Sequence, residues 1–217
     1  MSHDAALTAR ADASGRATLI RQGVPLATAT GLAVRDPSTE QTWAFGADDR
    51  AVQHQTVGGV KGWRIVRDGL DVRLVLGLPP DGNAAVFRLD VTNTGTDRRT
   101  LALESAVDAV GGGMWDDVAV LHARTIRVAD GLWLAHTFVP DDGQMPDDPD
   151  RPVETSHWDV SRPPALRRTF ALASGETAGW TVCLGVGDTA RSALGAAFPH
   201  LSGQRSRAAL AAAKAEK

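Results

Sequence analysis

The chain has 217 residues, of which 43% are hydrophobic and 23% are charged, and its net charge is −3 at pH 7. These proportions are ordinary for a globular protein, and the length is enough to bury a sizeable core in one domain of the larger all-β kind. No excess of basic residues is present to attract phosphate backbones, which argues against nucleic acid as a partner.

The first residues, Met1 to Leu7, contain neither a basic leader nor an apolar stretch. No segment of the sequence approaches the ~20 apolar residues that a membrane-spanning helix needs. The single cysteine, Cys183, lies in an apolar run typical of a buried strand and has no second cysteine to pair with. We therefore expect a soluble, cytoplasmic protein without a membrane partner.

Alternating segments begin near residue 62 and predict antiparallel strands. Apolar residues fill every second position from Leu70 to Leu76, and Asp71 and Arg73 lie between them. This period of two is the pattern of a half-buried strand. The Asp68-Gly69 pair that precedes the segment is a strong signal for a β-hairpin turn.

Similar segments follow along the chain and are separated by residues that favour turns. They cover residues 85–91, 100–107, 132–139, 166–172 and 180–186. We estimate about ten to twelve strands, at spacings typical of a sandwich. No β-α-β rhythm of about 30 residues is present. The predicted fold is all-β, an antiparallel β-sandwich of the supersandwich-like kind.

The last thirty residues change to a helical pattern. Asp188 is the predicted cap of a short helix over 190–198, and Ser202 is the predicted cap of a second helix over 204–217. The second helix is mostly alanine and charged residues, with Leu210 its one large apolar residue, so it has little to bury. We divide the chain into a sandwich (1–187) and a C-terminal helical linker or extension (188–217), which would contact a partner or a second copy.

The acidic segment 140–151 contains five aspartates and several prolines. The spacing of its aspartates does not match a calcium-binding loop, so we predict that it holds no metal ion and that the chain binds no cofactor. We assign no role to this segment.

Histidines offer an alternative, enzymatic interpretation. A sugar epimerase or hydrolase needs an acid and a base at the reacting carbon. The residues that could supply them are His54, His122, His136 and His157, with Glu104, Glu154 or Asp159.

Tryptophans are the strongest candidates for contact with a ligand. Trp63, Trp133 and Trp180 lie in strand patterns and are predicted to be core residues. Trp115 and Trp158 lie in polar surroundings, where an indole face would suit stacking on sugar C–H surfaces. Neighbouring side chains able to bond sugar hydroxyl groups complete the predicted carbohydrate-contact set: Trp115, Asp116, Asp117, His157, Trp158 and Asp159.

Four stretches of the sequence resemble one known kind of domain. They are Val86 to Gly95, Arg99 to Glu104, Phe170 to Glu176 and Val182 to Asp188, with an alanine-rich helix after Leu201. Together they resemble the N-terminal β-sandwich domain of bacterial glycoside hydrolases and phosphorylases that carry an (α/α)-barrel catalytic domain. In those enzymes a helical linker follows the sandwich, and the barrel holds two catalytic carboxylates.

The barrel has no counterpart here, so no catalytic residue is carried over. The resemblance implies a non-catalytic ancillary sandwich that supports an α-helical-barrel catalytic partner and contacts carbohydrate. The enzyme described above and a purely structural or oligomerising module remain open alternatives, and catalysis by the chain alone is left undecided.

Overall fold

The computed structural model describes residues 7–46, 52–57, 60–80, 82–111, 115–118, 123–128, 131–140, 165–201 and 203–215. The described residues form fourteen strands and two α-helices. The strands are β1 (Leu7–Ala11), β2 (Ala17–Arg21), β3 (Val24–Arg35), β4 (Thr42–Phe45), β5 (Val52–Val57), β6 (Val60–Arg67), β7 (Leu70–Gly77), β8 (Ala84–Asn93), β9 (Arg99–Ala109), β10 (Asp116–Val118), β11 (Ala123–Arg127), β12 (Trp133–Pro140), β13 (Ala165–Leu172) and β14 (Thr177–Gly187). They are followed by α1 (Ala190–Ala197), a 3₁₀ turn (Phe198–His200) and α2 (Gly203–Ala215).

The strands form two antiparallel sheets. The smaller sheet has the order β1-β2-β3-β9-β13, and β4 also pairs with β3. The larger sheet has the order β10-β11-β12-β14-β8-β7-β6-β5. The predicted all-β antiparallel sandwich with C-terminal helices is therefore confirmed.

The predicted hairpin joins β6 to β7. Asp68 and Gly69 both have positive φ, 49° and 76°, which is the backbone that a tight two-residue turn between twisted strands requires. The apolar positions from Leu70 to Leu76 are all buried, and Arg73 between them is exposed. Asp71, also between them, is buried because the side chains of Arg64 and Arg73 bond its carboxylate and cover it.

The main core lies between the two sheets. The smaller sheet contributes Leu19, Leu26, Val34, Trp43, Leu101 and Leu103, and the larger sheet contributes Trp63, Leu74, Phe87, Leu89, Trp180 and Leu184. Trp63 and Trp180 are thus core residues as predicted. Trp133 is half-buried, so the prediction that it belongs to the core holds only in part.

Side-chain contacts join the two sheets at the end where the β6–β7 hairpin turns. Trp43 of the smaller sheet donates its Nε1–H to the Arg67 carbonyl at 3.1 Å. The guanidinium groups of Arg67 and Arg99 lie 5.8 and 5.5 Å from the Trp43 ring centroid. Arg99 also pairs with Asp36 at 2.8 Å and donates to the Asp68 carbonyl. The turn after β6 is therefore fixed to the opposite sheet.

A second, smaller core lies on the outer face of the larger sheet. The two helices cover it, and its buried members are Ala84, Val86, Cys183, Ala197 and Leu210. Gly77 leaves room for Leu210, since a Cβ there would lie 2.6 Å from Leu210 Cδ2. Cys183 is fully buried in this cluster, in agreement with its prediction as a small buried strand residue.

The helix caps differ in part from the prediction. Thr189, not Asp188, caps α1: its Oγ1 accepts from the Ser192 amide at 3.1 Å, and Ser192 Oγ accepts from the Thr189 amide at 2.9 Å. This reciprocal pair is a capping box, which sequence reasoning missed because the reciprocating side chain is serine and not glutamate. The predicted cap of the second helix, Ser202, lies outside the described residues.

α2 buries more than its composition indicated. Ser206, Leu210 and Ala213 are buried at spacings of four and three residues, which places them on one face. Ser206 Oγ accepts from Thr181 Oγ1 of β14 at 3.0 Å. The opposite face exposes Arg207, Ala208 and Ala211.

The packing of Leu210 predicts the reactivity of Cys183. We expect Leu210→Ala to make Cys183 react at least about tenfold faster with a thiol reagent, because the lost burial weakens the docking of α2 by 1.4 kcal/mol or more. Ala211→Ser, on the exposed face of the same helix, is the control and should leave the rate unchanged. Equal rates in the two variants would show that Leu210 does not hold the helix over Cys183.

Candidate functional site

The predicted contact residues fall partly within the described chain. Trp115 is half-buried and packs against the main core, and Asp116 is exposed at the start of β10. The backbone of Asp117 is described, but its side chain is not. His157, Trp158 and Asp159 lie outside the described residues and stay predictions, as does all of the acidic segment beyond Pro140.

Pairing of β10, β11 and β12 builds the surroundings of Trp115 at one edge of the larger sheet. Asp116 is paired with Thr125, and Asp117 is paired with Arg124. Arg124 is in turn paired with His136. Because side chains alternate along a strand, Arg124 lies on the same face as the core residue Ile126, and His136 lies on the same face as the core residue Leu134.

Four side chains meet in the interior beside this edge. The guanidinium of Arg124 lies 4.4 Å from the Trp115 ring centroid, and the Trp115 and His136 rings are 6.0 Å apart. His136 Nδ1 lies 3.1 Å from Arg124 Nε and 3.0 Å from Arg124 Nη2. Its Nε2 lies 2.9 Å from Ser105 Oγ on β9 of the opposite sheet. A polar bridge therefore crosses the sandwich directly behind Trp115.

The charge state of this bridge follows from its partners. Arg124 can only donate hydrogen bonds, so His136 Nδ1 accepts and the ring proton is on Nε2, from which it is donated to Ser105. Complete burial, together with the neighbouring Arg124, lowers the pKa of His136 well below its ordinary value of 6.5. The imidazole is therefore neutral at pH 7.

The residues of the enzymatic alternative do not converge where the structure describes them. Glu104 precedes Ser105 on β9, so it faces away from His136, and its carboxylate lies 3.6 Å from Arg167 Nε. His122 and His157 lie outside the described residues, as does the side chain of His54. Within the described chain, no three His, Cys, Asp or Glu side chains are grouped so that they could hold a metal ion.

Sequence reasoning missed Ser105 and Arg124. The sequence did contain a signal that Arg124 is buried. Arg124 and the apolar Ile126 are two positions apart in a short strand, so their side chains must lie on the same face. An arginine in a strand is ordinarily assigned to the solvent face, because a charged group is rarely buried without partners.

A second charged cluster lies on the outer face of the larger sheet. Asp71 accepts hydrogen bonds from Arg64 Nε at 2.8 Å and from Arg73 Nη2 at 2.8 Å. The hydrogen bond from Arg64, aided by Arg73, lowers the pKa of Asp71 to about 2. The two arginines are thus engaged with a carboxylate of the chain itself.

In the described part of the chain, no helix has the length and apolar character needed to cross a membrane.

No family model matches the chain, and no curated protein matches it. Solved structures do. A polysaccharide lyase aligns with a TM-score of 0.54 and 8% identity over 88% of this chain and 34% of its own. A candidate kojibiose phosphorylase from the human microbiome aligns with a TM-score of 0.46 and 8% identity over 97% of this chain and 28% of its own.

A GH36 alpha-galactosidase from Geobacillus stearothermophilus aligns with a TM-score of 0.34 and 12% identity over 73% of this chain and 30% of its own. This chain therefore spans about a third of the length of these proteins. At such identities the likeness to the lyase concerns the fold alone. At that level, the predicted resemblance to domains of carbohydrate-active enzymes is confirmed.

Proposed function

We propose that the chain is a non-catalytic β-sandwich that supports a carbohydrate-active catalytic domain or subunit and contacts carbohydrate at the β10 edge. The observation that carries this proposal is Trp115, a half-buried residue at that edge whose ring lies against the buried guanidinium of Arg124. The similarity in fold to about a third of a polysaccharide lyase supports a role beside a catalytic unit.

The chemistry of the β10 edge suits a sugar. An indole offers a large apolar face that can stack on the C–H side of a pyranose ring, and its N–H can donate to a hydroxyl group. The exposed Asp116 carboxylate can accept from hydroxyl groups. Asp117, His157, Trp158 and Asp159 belong to the same proposed surface on sequence grounds.

The C-terminal segment 188–217 is the proposed point of attachment to the partner. Its second helix buries one face against the larger sheet and exposes another, so a partner can bind without removing the helix from the domain. The residues 1–187 form the proposed sandwich domain. A cytoplasmic location is also proposed, because the single buried cysteine fits a reducing compartment.

A binding experiment tests the proposal. The full chain is run by native electrophoresis through gels that contain neutral or acidic polysaccharides, and at least one polysaccharide is expected to retard it. Trp115→Ala should weaken that binding roughly three- to tenfold, because one aromatic stacking contact is lost. Trp133→Ala, at another half-buried tryptophan, is the matched control and should bind like the parent chain.

Two results would contradict the proposal. One is that no polysaccharide retards the parent chain. The other is that both tryptophan variants lose binding equally, which would place the loss in the fold and not at the β10 edge.

A further inference from the structure

Two arginines lie side by side on the outer face of the larger sheet. Arg64 of β6 and Arg73 of β7 are directly opposite each other in the register of the two strands, and their side chains are 45% and 55% exposed. Like charges in directly opposite positions destabilise a sheet. Their other register partners are Gln53 on β5, which has no charge, and Asp90 on β8. Asp71 offsets the repulsion by bonding both guanidinium groups.

One carboxylate cannot neutralise two guanidinium groups. The hydrogen bond from Arg64, aided by Arg73, holds the pKa of Asp71 at about 2, so this carboxylate supplies one full negative charge at neutral pH. Asp90 supplies no further charge to the pair, because it is bonded to Arg88 at 2.7 Å. The outer face therefore carries one positive charge in excess where the two arginines are exposed.

The shared carboxylate leaves donors on each guanidinium unused. Arg64 donates through Nε to Asp71 Oδ1 and through Nη2 to Oδ2, at 2.8 and 2.9 Å. Arg73 donates through Nη2 to Oδ2 at 2.8 Å and more weakly through Nε at 3.2 Å. In the described part of the chain, the bonds of both guanidinium groups go to this carboxylate. The Nη1 donors, and one N–H of each Nη2, can therefore bond a ligand.

We propose that Arg64 and Arg73 bind a tetrahedral oxyanion, a sulfate or phosphate group that is either free or carried as a half-ester by a larger ligand. Both Nη2 atoms bond Asp71 Oδ2, so their separation is no larger than the sum of those two bond lengths. One oxyanion can accept from both groups, because its oxygens point in different directions. Asp71 fixes the two arginines before the ligand binds, which reduces the entropy lost on binding.

Two features favour the half-ester over the free ion. A sulfate half-ester carries a single negative charge, which equals the excess positive charge of the site, whereas free sulfate carries two. Val66 is 56% exposed and lies directly opposite Asp71 on the same face, where it offers apolar surface to the organic part of an ester. The site lies at the other end of the larger sheet from the β10 edge and does not depend on carbohydrate binding there.

NMR of the arginine side chains in the full chain tests this site. The Nε–H resonances of Arg64 and Arg73 are assigned with Arg64→Lys and Arg73→Lys. Glucose 6-sulfate and sodium sulfate are titrated separately at constant ionic strength, with glucose as the uncharged control. We expect both anions to shift the two resonances together and to saturation, the ester at the lower concentration, and glucose to shift neither. Saturation by sodium sulfate alone would support the site with the free ion as its ligand. Shifts of all arginines in parallel, without saturation, would overturn the proposal.

Substitutions separate the site from the general charge of the surface. Arg64→Gln should weaken binding of the ester at least about tenfold, as followed at Arg73, because one pair of charge-assisted bonds is lost. Arg35→Gln removes an exposed arginine from the smaller sheet and is the matched control, which should bind like the parent chain. Equal affinities in these two variants would contradict the site.

Two further variants keep the test decisive. Arg64→Lys preserves the positive charge and should still bind the ester several-fold more weakly, because lysine lacks the planar pair of donors; binding equal to that of the parent chain would contradict the role of the guanidinium. Trp115→Ala should leave the titration unchanged. A chain that binds the ester but that no polysaccharide retards would retain this site and lose the proposed function, and the opposite result would do the reverse.

Discussion

Gly185→Ala is expected to destabilise the chain by about 3 kcal/mol or more, because the added methyl group would collide with the helix that covers β14. A Cβ at this position on β14 would collide with the Ala193 carbonyl oxygen and lie 2.8 Å from the Ala197 amide nitrogen. Both atoms belong to the backbone of α1, so no side-chain rotation relieves the contact. The helix must move off the sheet. Urea denaturation followed by circular dichroism measures the loss.

Gly195 provides the control on the helix itself. It lies within α1, and nothing is within 4 Å of the position that its Cβ would occupy. Gly195→Ala should therefore stabilise the chain by about 0.5–1 kcal/mol, because alanine loses less conformational freedom in a helix than glycine does. If the two alanine variants were equally stable, α1 would not rest on β14 as described.

Asn93→Asp is expected to cost about 3 kcal/mol at neutral pH, since a fully buried amide becomes a carboxylate of the same shape. Asn93 Nδ2 donates to the carbonyl groups of Asp97 and Leu172 at 2.7 and 3.2 Å, and Oδ1 accepts from the Gly95 amide at 3.1 Å. In the variant, a negative oxygen would face two carbonyl oxygens. Chemical denaturation as a function of pH measures this loss.

The pH dependence of that variant has a definite sign. Burial beside carbonyl oxygens raises the pKa of the introduced carboxyl group above its unfolded value of about 3.9. The deficit in stability is therefore smallest below that pH, where the protonated group can donate to one carbonyl, and grows as the pH rises. Asn83→Asp, at a half-buried turn position, is the matched control and should show a small, flat effect. If Asn93→Asp lost as much stability at acidic pH as at neutral pH, the buried hydrogen bonds described for Asn93 would be contradicted.

Local features of the fold could be predicted where a short pattern determines the structure. The period of two from Leu70 to Leu76 and the Asp68-Gly69 turn depend on neighbours along the chain, and both were confirmed. Pairing between distant strands could not be predicted in this way. Nothing in the sequence of β3 states that β9 lies beside it, because that choice depends on how both sheets bury their inner faces together.

The candidate site was even harder to predict from the sequence, because its residues come from several strands. Trp115 stood out from its polar neighbours, but the residue that backs it, Arg124, comes from the next strand of the sheet. The proton position on His136 depends on a donor in β11 and a hydroxyl in β9, which are 12 and 31 residues away along the chain. Such a bridge becomes visible only when the register of three strands in two sheets is known.

The position of β14 between β12 and β8 has a practical consequence. The chain passes from β12 in the larger sheet, through residues 141–164, to β13 in the smaller sheet, and then returns through β14 to the middle of the larger sheet. If the chain were cut within 141–164, β14 of the C-terminal fragment would still pair with β12 and β8 of the N-terminal fragment. The two fragments would then be joined by the pairing of β14 with β12 and β8 and of β13 with β9.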